Sequence, residues 1–367
     1  MNRALSWRAA ARRNAARGLQ TPHALPLLAG LALLPVIALL AGLGIGAVPI
    51  APRQVVAIAA AQLGWGSAEW PGAARQTAVL IAIRLPRVLL GALTGGVLAA
   101  CGATVQALFR NPLADPALIG TAGGAALFAA ATIVLSPALP AVTPESLRLG
   151  LLPLAAFAGS AATTYAVYRV AAIDGYTSMA TLLLAGIAFN ALAGAGTGLL
   201  IFAADDAQLR SLTFWSLGSL GGATWQGLAV AAPALLLALL ALPRLAPSLN
   251  LLLLGEREAS HLGIEIEPLK RRAILLTALG VGAAVALCGV IGFVGLVVPH
   301  LVRLAAGPDH RIVLPGSIAL GAALLVGADV LSRTLVAPAE LPIGVVTALV
   351  GAPFFLWLLR RAPTAWS

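Results

Sequence analysis

Long apolar stretches without charged residues recur along nearly the whole chain and constrain its fold more than any motif. A helix needs about 20 such residues to cross the hydrocarbon core of a membrane. Of the 367 residues, 60% are hydrophobic and only 10% are charged, far outside the soluble globular range. Membrane spans are therefore predicted at residues 25–48, 88–109, 117–136, 149–168, 182–204, 223–243, 273–291, 312–328 and 341–359.

A further, shorter helix is predicted at 296–306. The 39 Gly and 24 Pro residues would break long helices in water, but a membrane bundle tolerates them because neighbouring helices satisfy the freed backbone groups. The predicted fold class is all-α, a polytopic membrane protein with about ten transmembrane helices. The predicted organisation is an N-terminal arm at 1–24, one transmembrane domain at 25–361 and a tail at 362–367.

The basic residues indicate how the chain is oriented. Net charge is +10, but the arginines lie at the ends of apolar runs and form no continuous patch, which argues against nucleic acid as a partner. The positive-inside rule predicts that the arginine-rich head and the C-terminus are cytoplasmic. The first apolar stretch is about twice as long as that of a signal peptide, so a retained first helix is predicted.

Motifs for catalysis or metal binding are missing from the sequence. The single lysine, Lys270, is followed by Arg271, so the chain has no P-loop and is not expected to hydrolyse ATP. No two of the four histidines have the helical spacing of a zinc site. Cys101 and Cys288 lie within apolar runs and are interpreted as buried small hydrophobes. Asp205, beside a second aspartate, is interpreted as a solvated helix cap, so no catalytic residue, metal or cofactor is predicted.

Two polar segments interrupt the apolar pattern on the predicted cytoplasmic side. Residues 110–116, Arg-Asn-Pro-Leu-Ala-Asp-Pro, predict a tight turn, since Asn-Pro and Asp-Pro favour turns. The alternative is a simple helix-stopping loop. Residues 254–264 predict a short amphipathic helix that ends at Gly263. Its expected apolar side is Leu254, Ala259 and Leu262, and its expected polar side is Glu256, Arg257 and Glu258.

This amphipathic helix is interpreted as a docking element for another protein. A helix lying on lipid is the alternative, but it would carry more Lys and Arg on its polar face, whereas this face is largely acidic.

A third group of polar residues lies on the predicted outer side. Arg84 and Arg87 are expected at the entry of the second helix, and Arg333 lies near the end of a later one. Because cations there oppose the positive-inside bias, contact between exposed arginines and an acidic partner is predicted, with lipid phosphate as the alternative. Asp329 precedes Arg333 by one helical turn and predicts an ion pair, with a proton relay as the alternative.

These segments, taken in order, closely resemble the permease subunits of bacterial ABC importers for iron siderophores, haem and vitamin B12. The resemblance extends from about residue 75 to residue 361. The matching segments are residues 84–87, 106–116, 183–186, 214–220, 254–263, 292–303, 340–344 and 351–353.

The resemblance implies a ten-helix bundle like that of the vitamin B12 permeases and a homodimer in the bacterial inner membrane. It implies a translocation path along the dimer axis that opens by alternating access. Two copies of a separate ATPase, which bind ATP and Mg²⁺, dock on the cytoplasmic face, and a periplasmic substrate-binding protein docks outside.

The resemblance also assigns site residues. Within cytoplasmic coupling helices at 251–264, the residues that contact the ATPase would be Gly255, Glu256, Glu258, Ala259, Leu262 and Gly263. Arg84, Arg87 and Arg333 would meet acidic residues of the binding protein. The cytoplasmic gate would contain Asn111 and Leu113, and a companion gate Met179 and Ala180. Relatives carry small hydroxyl residues at the companion gate, so this sequence departs from the pattern there.

The cargo favoured by the resemblance is haem, because residues 214–220 and 84–87 are most like those of haem permeases. Ferric siderophores and vitamin B12 are the alternatives. His300 is not assigned as a haem ligand, since its setting is shared by members with other cargoes. An ion-driven secondary transporter is the competing mechanism, but it predicts several buried carboxylates, which the sequence does not contain.

Overall fold

A computed structural model describes residues 24–136 and 145–361, which form a helical bundle with one very short hairpin. The first part comprises α1 (Ala24–Gly44), α2 (Pro52–Gln62), α3 (Ala73–Leu108), α4 (Thr121–Leu135), α5 (Glu145–Ala171), β1 (Ala172–Ile173), β2 (Tyr176–Thr177) and α6 (Met179–Ala203). The second comprises α7 (Asp206–Ser216), α8 (Trp225–Leu252), α9 (Glu256–His261), α10 (Ile266–Cys288), α11 (Val294–Ala306), α12 (His310–Ser332) and α13 (Ile343–Arg361).

Within the described residues, six helices are long and apolar enough to cross a membrane, judged by length and composition: α3, α5, α6, α8, α10 and α12. Shorter apolar helices lie within α1, α4, α11 and α13. Each predicted apolar run overlaps one of these helices, including the short run at 296–306. The all-α prediction is confirmed. Residues 1–23 of the predicted arm (1–24) and the tail at 362–367 lie outside the described residues.

The predicted start of the second span is wrong. Helix α3 begins at Ala73, so Arg84 and Arg87 lie well inside it, around the end of a π-helical segment at Val79–Arg84. These two arginines were expected to mark the start of the helix. Instead they lie inside it, and groups from other elements of the bundle bind their side chains. Helices α2 and α7 lie in loops between spans and were not predicted from the sequence.

Helix α3 lies at the centre of the bundle and is buried along most of its length. It packs against α1, α8, α10, α11 and α12. Two glycines of α3 permit close backbone contacts: a Cβ on Gly95 would lie 2.2 Å from the carbonyl oxygen of Gly321, and one on Gly102 would lie 1.9 Å from that of Gly295. Small residues therefore bring these helix backbones together.

Helix α6 is attached to the bundle mainly along one side. A Cβ on Gly186 would lie 1.7 Å from the carbonyl oxygen of Leu118, and the side-chain amide of Asn190 donates to the carbonyl oxygen of Ala117 at 2.9 Å. By contrast, a Cβ on Gly194 or Gly198 would have no neighbouring atom within 4 Å. This glycine pair therefore faces away from the rest of the described chain.

The two cysteines are free thiols in the core, as expected of small hydrophobes. Cys101 lies on α3 and Cys288 at the end of α10, and the side chains of both are buried. Over residues 24–136 and 145–361, no cluster of three or more His, Cys, Asp or Glu side chains has the arrangement of a metal site.

Candidate functional site

Arg87 is the centre of a group of charged side chains at one end of the bundle. Its Nε donates to Asp329 Oδ1 at 2.9 Å, and its two terminal nitrogens donate to Glu340 Oε1 and Oε2 at 2.9 and 2.8 Å. The second contact is a bidentate arginine–carboxylate pair, a strong form of charged hydrogen bond. We name Arg84, Arg87, Asp329, Arg333 and Glu340 the outer cluster.

The predicted pair between Asp329 and Arg333 is confirmed, with Arg333 Nε 3.5 Å from Asp329 Oδ2. The nearer partner of Asp329 is Arg87, which is remote in the chain and was not predicted. Asp329 is buried between the two guanidinium groups. This arrangement favours the ion-pair interpretation over the proton relay, because each carboxylate oxygen faces a cation.

Arg84 and Arg333 bind the end of helix α1. Arg84 Nη1 donates to the carbonyl oxygens of Leu43 and Gly44 at 2.7 and 2.9 Å, and Arg333 Nη2 donates to that of Gly42 at 2.5 Å. The last carbonyls of a helix have no partner within it and carry the negative end of its dipole. These arginines therefore cap α1, and α1 in turn keeps them ordered.

The prediction that the outer arginines are exposed is wrong. Arg84 is 3% exposed and Arg87 is 7% exposed. Internal carbonyls and carboxylates bind them, which accounts for cations that oppose the positive-inside bias without invoking lipid or a partner. Glu340 is the accessible member of the cluster, with 45% of its side chain exposed. Hydrogen bonds from Arg87 lower the pKa of Glu340 below its ordinary value.

At the opposite end of α3, the chain forms the tight turn that the sequence predicted. The side-chain oxygen of Asn111 accepts from the backbone N–H of Leu113 at 2.9 Å, and Asp115 Oδ1 accepts from that of Ala117 at 2.8 Å. Asparagine and aspartate commonly stabilise turns in this way. Asn111 is exposed and Leu113 is half-buried. The turn is held against α6 through Ala117, as described above.

The predicted amphipathic helix is α9, at Glu256–His261. Its expected apolar side is divided: Ala259 is completely buried, whereas Leu254 and Leu262 are 61% and 55% exposed. Ala259 packs within its own subunit and has no surface for the expected ATPase contact. Gly263 ends the helix as predicted, with a φ of +87° that glycine adopts readily.

An open cleft of about 740 Å³ lies beside α9. Glu256, His261, Gly263 and Glu267 line it, together with Tyr176 from β2. Of the other residues assigned to ATPase contact, Glu258 is exposed and Gly255 is buried at the N-terminus of α9. The cleft therefore lies between the predicted coupling helix and the hairpin that leads to α6.

Lys270 connects these elements, a role that its sequence pattern did not predict. Lys270 Nζ donates to Glu256 Oε2 at 2.8 Å, to Glu267 Oε1 at 3.2 Å and to the carbonyl oxygen of Thr177 at 2.8 Å. We name Thr177, Glu256, Glu267 and Lys270 the lysine cluster. The companion-gate residues follow Thr177 closely: Met179 is half-buried and Ala180 is exposed at the start of α6.

The arrangement is that of a membrane bundle with polar, structured groups at both ends. The model of the FecCD transport family matches residues 33–361. The chain belongs to the FecCD transport family. The match begins at residue 33, within α1, whereas the resemblance in the sequence was traced from about residue 75.

This FecCD family member is 50% identical over 283 residues to the hemin transport system permease protein HmuU of Yersinia pestis, covering 76% of this chain and 82% of that protein. It is 43% identical over 278 residues to the cobalamin import system permease protein BtuC of Halobacterium salinarum, covering 76% and 72%. It also resembles a solved metal-chelate type ABC transporter in an inward-facing conformation, with a TM-score of 0.76, 32% identity and coverage of 92% and 99%.

The chain is thus a multi-pass permease subunit of an ABC importer, in a family whose relatives include a hemin permease and a cobalamin permease. Members of this family work with ATPase subunits and substrate-binding proteins. Its relatives are membrane permeases rather than enzymes, in agreement with the missing P-loop motif.

Proposed function

We propose that this FecCD family permease imports haem across the bacterial inner membrane, powered by a separate ATPase that binds ATP and Mg²⁺. The observation that carries the choice of cargo is the 50% identity to the hemin permease of Yersinia pestis, against 43% for the cobalamin permease of Halobacterium salinarum. Both termini lie in the cytoplasm in this proposal, as the arginine-rich head predicts.

The working unit is a homodimer with the translocation path along its axis. The exposed side of α6 supports this arrangement, because Gly194 and Gly198 face open space beside exposed Leu192 and Leu199. A glycine that faces lipid contributes no packing contact. A glycine that faces another helix allows the two helix backbones to approach closely. Alternating access then requires two states of the dimer that differ in which end of the path is open.

The ATPase docks at α9. Exposed Leu254 and Leu262 give this end of the chain an apolar surface, and Glu258 adds an exposed charge at its edge. An apolar centre with a polar rim is typical of protein interfaces. Glu256 belongs to the lysine cluster and has 40% of its side chain exposed, so it contacts both the chain and the cleft.

The substrate-binding protein docks at the outer cluster. It does so by displacing an internal partner of an arginine rather than by binding a free arginine. Arg87 is already paired with Glu340, whose side chain is half exposed. We propose that an acidic side chain of the binding protein replaces Glu340 on Arg87. Arg84 and Arg333 hold the end of α1 beside the contact, so they act on docking through this support.

Vitamin B12 is the second candidate cargo, favoured by the identity with the cobalamin permease. A ferric siderophore is the third, favoured by the resemblance to the metal-chelate transporter. The three cargoes differ in size and chemistry, whereas the chain's apolar helices do not distinguish among them. In this proposal the binding protein, rather than the permease, selects the cargo.

Reconstitution with the partner ATPase and binding protein in liposomes tests the proposal. We expect ATP-driven uptake of hemin and little uptake of cobalamin or a ferric siderophore when the three are offered separately. Uptake of cobalamin instead would replace the cargo and leave the importer mechanism intact. Uptake driven by a proton or sodium gradient without the ATPase would contradict the mechanism and favour an ion-coupled transporter.

A further inference from the structure

Lys270 is a buried cation within two turns of the start of α10. It is 3% exposed, while the two arginines that follow it, Arg271 and Arg272, are exposed. Burying an ammonium group is costly unless its charge is balanced and its N–H groups are bonded. Lys270 meets both conditions, because its three N–H groups have three oxygen acceptors, two of them carboxylate.

The three acceptors come from three different elements. Glu256 begins α9, Glu267 lies on α10, and Thr177 ends the hairpin strand β2. Glu267 Oε2 also accepts from the backbone N–H of Thr177 at 3.0 Å, so both backbone groups of Thr177 are bound within the lysine cluster. The cluster thus connects α9 directly to β2.

Strand β2 leads into α6 through a short cap. Ser178 Oγ accepts from the backbone N–H of Thr181, which fixes the first turn of α6 to the residue after Thr177. Met179 and Ala180 form that first turn. A displacement of Thr177 would therefore reach the companion-gate residues through one intervening residue, Ser178.

Helix α9 is bounded by two glycines with positive φ. Gly255 has a φ of +119° and Gly263 a φ of +87°, conformations that glycine adopts without strain. No atom lies within 4 Å of a Cβ placed on Gly263. The carboxylate of Glu256 joins α9 to the rest of the subunit through its hydrogen bond from Lys270.

We propose that Lys270 is the positioning residue through which displacement of α9 reaches the gate segment at the start of α6. This inference rests on the proposed function, since it supposes that an ATPase moves α9. A lysine suits the role because its ammonium group is a compact charge with rotatable donors, which retains Glu267 and Thr177 while Glu256 shifts. Lys270 contacts neither cargo nor nucleotide in this mechanism.

The test uses the full complex with its ATPase and binding protein, with Ala180→Cys spin-labelled in both copies of the permease. In Lys270→Met we expect ATP hydrolysis to continue, uptake per ATP to fall by about tenfold, and the label-to-label distance to stop responding to nucleotide. Arg272→Met is the matched control, since it removes the same charge from an exposed neighbour. We expect its uptake and distance change to match those of the labelled complex with Lys270 and Arg272 intact.

Glu256→Gln provides a milder variant that retains the pair between Lys270 and Glu267. We expect it to reduce uptake per ATP, and the double variant with Lys270→Met to be no worse than Lys270→Met alone. If the losses of uptake per ATP added up in the double variant, the inference would be overturned, because two residues that act in one path do not contribute independently. Parallel loss of ATP hydrolysis and uptake in Lys270→Met would also overturn it, by assigning the lysine to assembly.

Full coupled uptake by Lys270→Met would refute the inference alone. Absence of ATP-driven uptake in the unmodified complex would refute the proposed function and the inference with it. The two failures are therefore distinguished by whether the unmodified complex transports.

Discussion

Arg87 and Asp329 come from different helices, and Arg87 Nε donates to Asp329 Oδ1 at 2.9 Å inside the bundle. Arg333 approaches the other oxygen of the same carboxylate at 3.5 Å. One buried aspartate therefore balances two arginines and holds α3 against α12.

Asp329→Asn should lower the free energy of unfolding in detergent by about 3–5 kcal/mol, because it leaves two buried guanidinium groups without their shared counter-charge. Thermal or denaturant unfolding of the purified protein measures this. Asp206→Asn, on an exposed first turn of α7, is the control and should change stability by less than about 0.5 kcal/mol. Equal effects of the two substitutions on the free energy of unfolding would contradict a stabilising role of the outer cluster.

Glu340→Gln should strengthen capture of the binding protein by about two- to fivefold, the equivalent of one half-exposed ion pair. The substitution removes the internal competitor for Arg87. Surface plasmon resonance on the permease in nanodiscs measures the affinity, with the exposed Glu69→Gln as control. Weaker capture would instead mean that Glu340 itself contacts the partner.

The pair between Arg87 and Glu340 predicts that the local stability around Glu340 depends on pH. The pKa of Glu340 lies below its ordinary value of 4.5, chiefly because Arg87 donates hydrogen bonds to the charged carboxylate. A carboxylate with a lowered pKa stabilises the fold fully above its unfolded-state pKa, and the effect is lost as pH falls through the folded-state pKa. Hydrogen exchange in residues 338–344 should therefore show a loss of protection below about pH 4.5 that Glu340→Gln does not share.

Gly102→Ala should destabilise the fold by about 1–3 kcal/mol or more, since its Cβ would lie 1.9 Å from the carbonyl oxygen of Gly295. Backbone atoms of α11 would have to move to accept it. Gly327→Ala is the matched control on α12, where no atom lies within 4 Å of the added carbon. Unfolding in detergent compares the two, and a harmless Gly102→Ala would contradict the close packing of α3.

Leu254→Ala with Leu262→Ala should weaken binding of the partner ATPase by about tenfold or more, because both side chains are exposed and available to an interface. Both substitutions should leave the stability of the isolated permease unchanged. Leu63→Ala, an equally exposed leucine in the loop after α2, serves as control. Unchanged ATPase affinity would remove α9 as the docking element.

Gly194→Leu with Gly198→Leu should reduce dimerisation by about tenfold or more, since bulky side chains keep the two α6 helices apart. Single-molecule photobleaching in lipid bilayers measures the dimer fraction. Gly30→Leu is the control, because Gly30 on α1 also faces open space but lies outside the proposed contact. A dimer that tolerates the α6 pair but fails with Gly30→Leu would place the axis at α1 instead.

The helical content and the order of the spans could be predicted from local sequence. Apolar runs identified each membrane helix, including the short one that became α11. The turn at 110–116 and the stop at Gly263 were also predicted, because proline, asparagine and glycine act on the backbone next to them. These features depend on residues that are close in the chain.

The errors concern charged side chains. Arg84 and Arg87 were expected at a helix entry and exposed, yet they are buried inside α3 with acceptors from α1, α12 and Glu340. Lys270 was noted only as evidence against a P-loop, although it connects three elements. Sequence spacing reveals partners one turn apart, such as Asp329 and Arg333, but not partners that the fold brings together.

The sequence by itself therefore determined which segments enter a membrane, since transfer into hydrocarbon depends on composition over about 20 neighbouring residues. Only the tertiary structure decided which charges are buried, which are accessible and which elements they connect. The physical reason is that a buried charge is stable only beside its counter-charge and hydrogen-bond partners. Those partners, Asp329 for Arg87 and Thr177 for Lys270, come from distant parts of the chain.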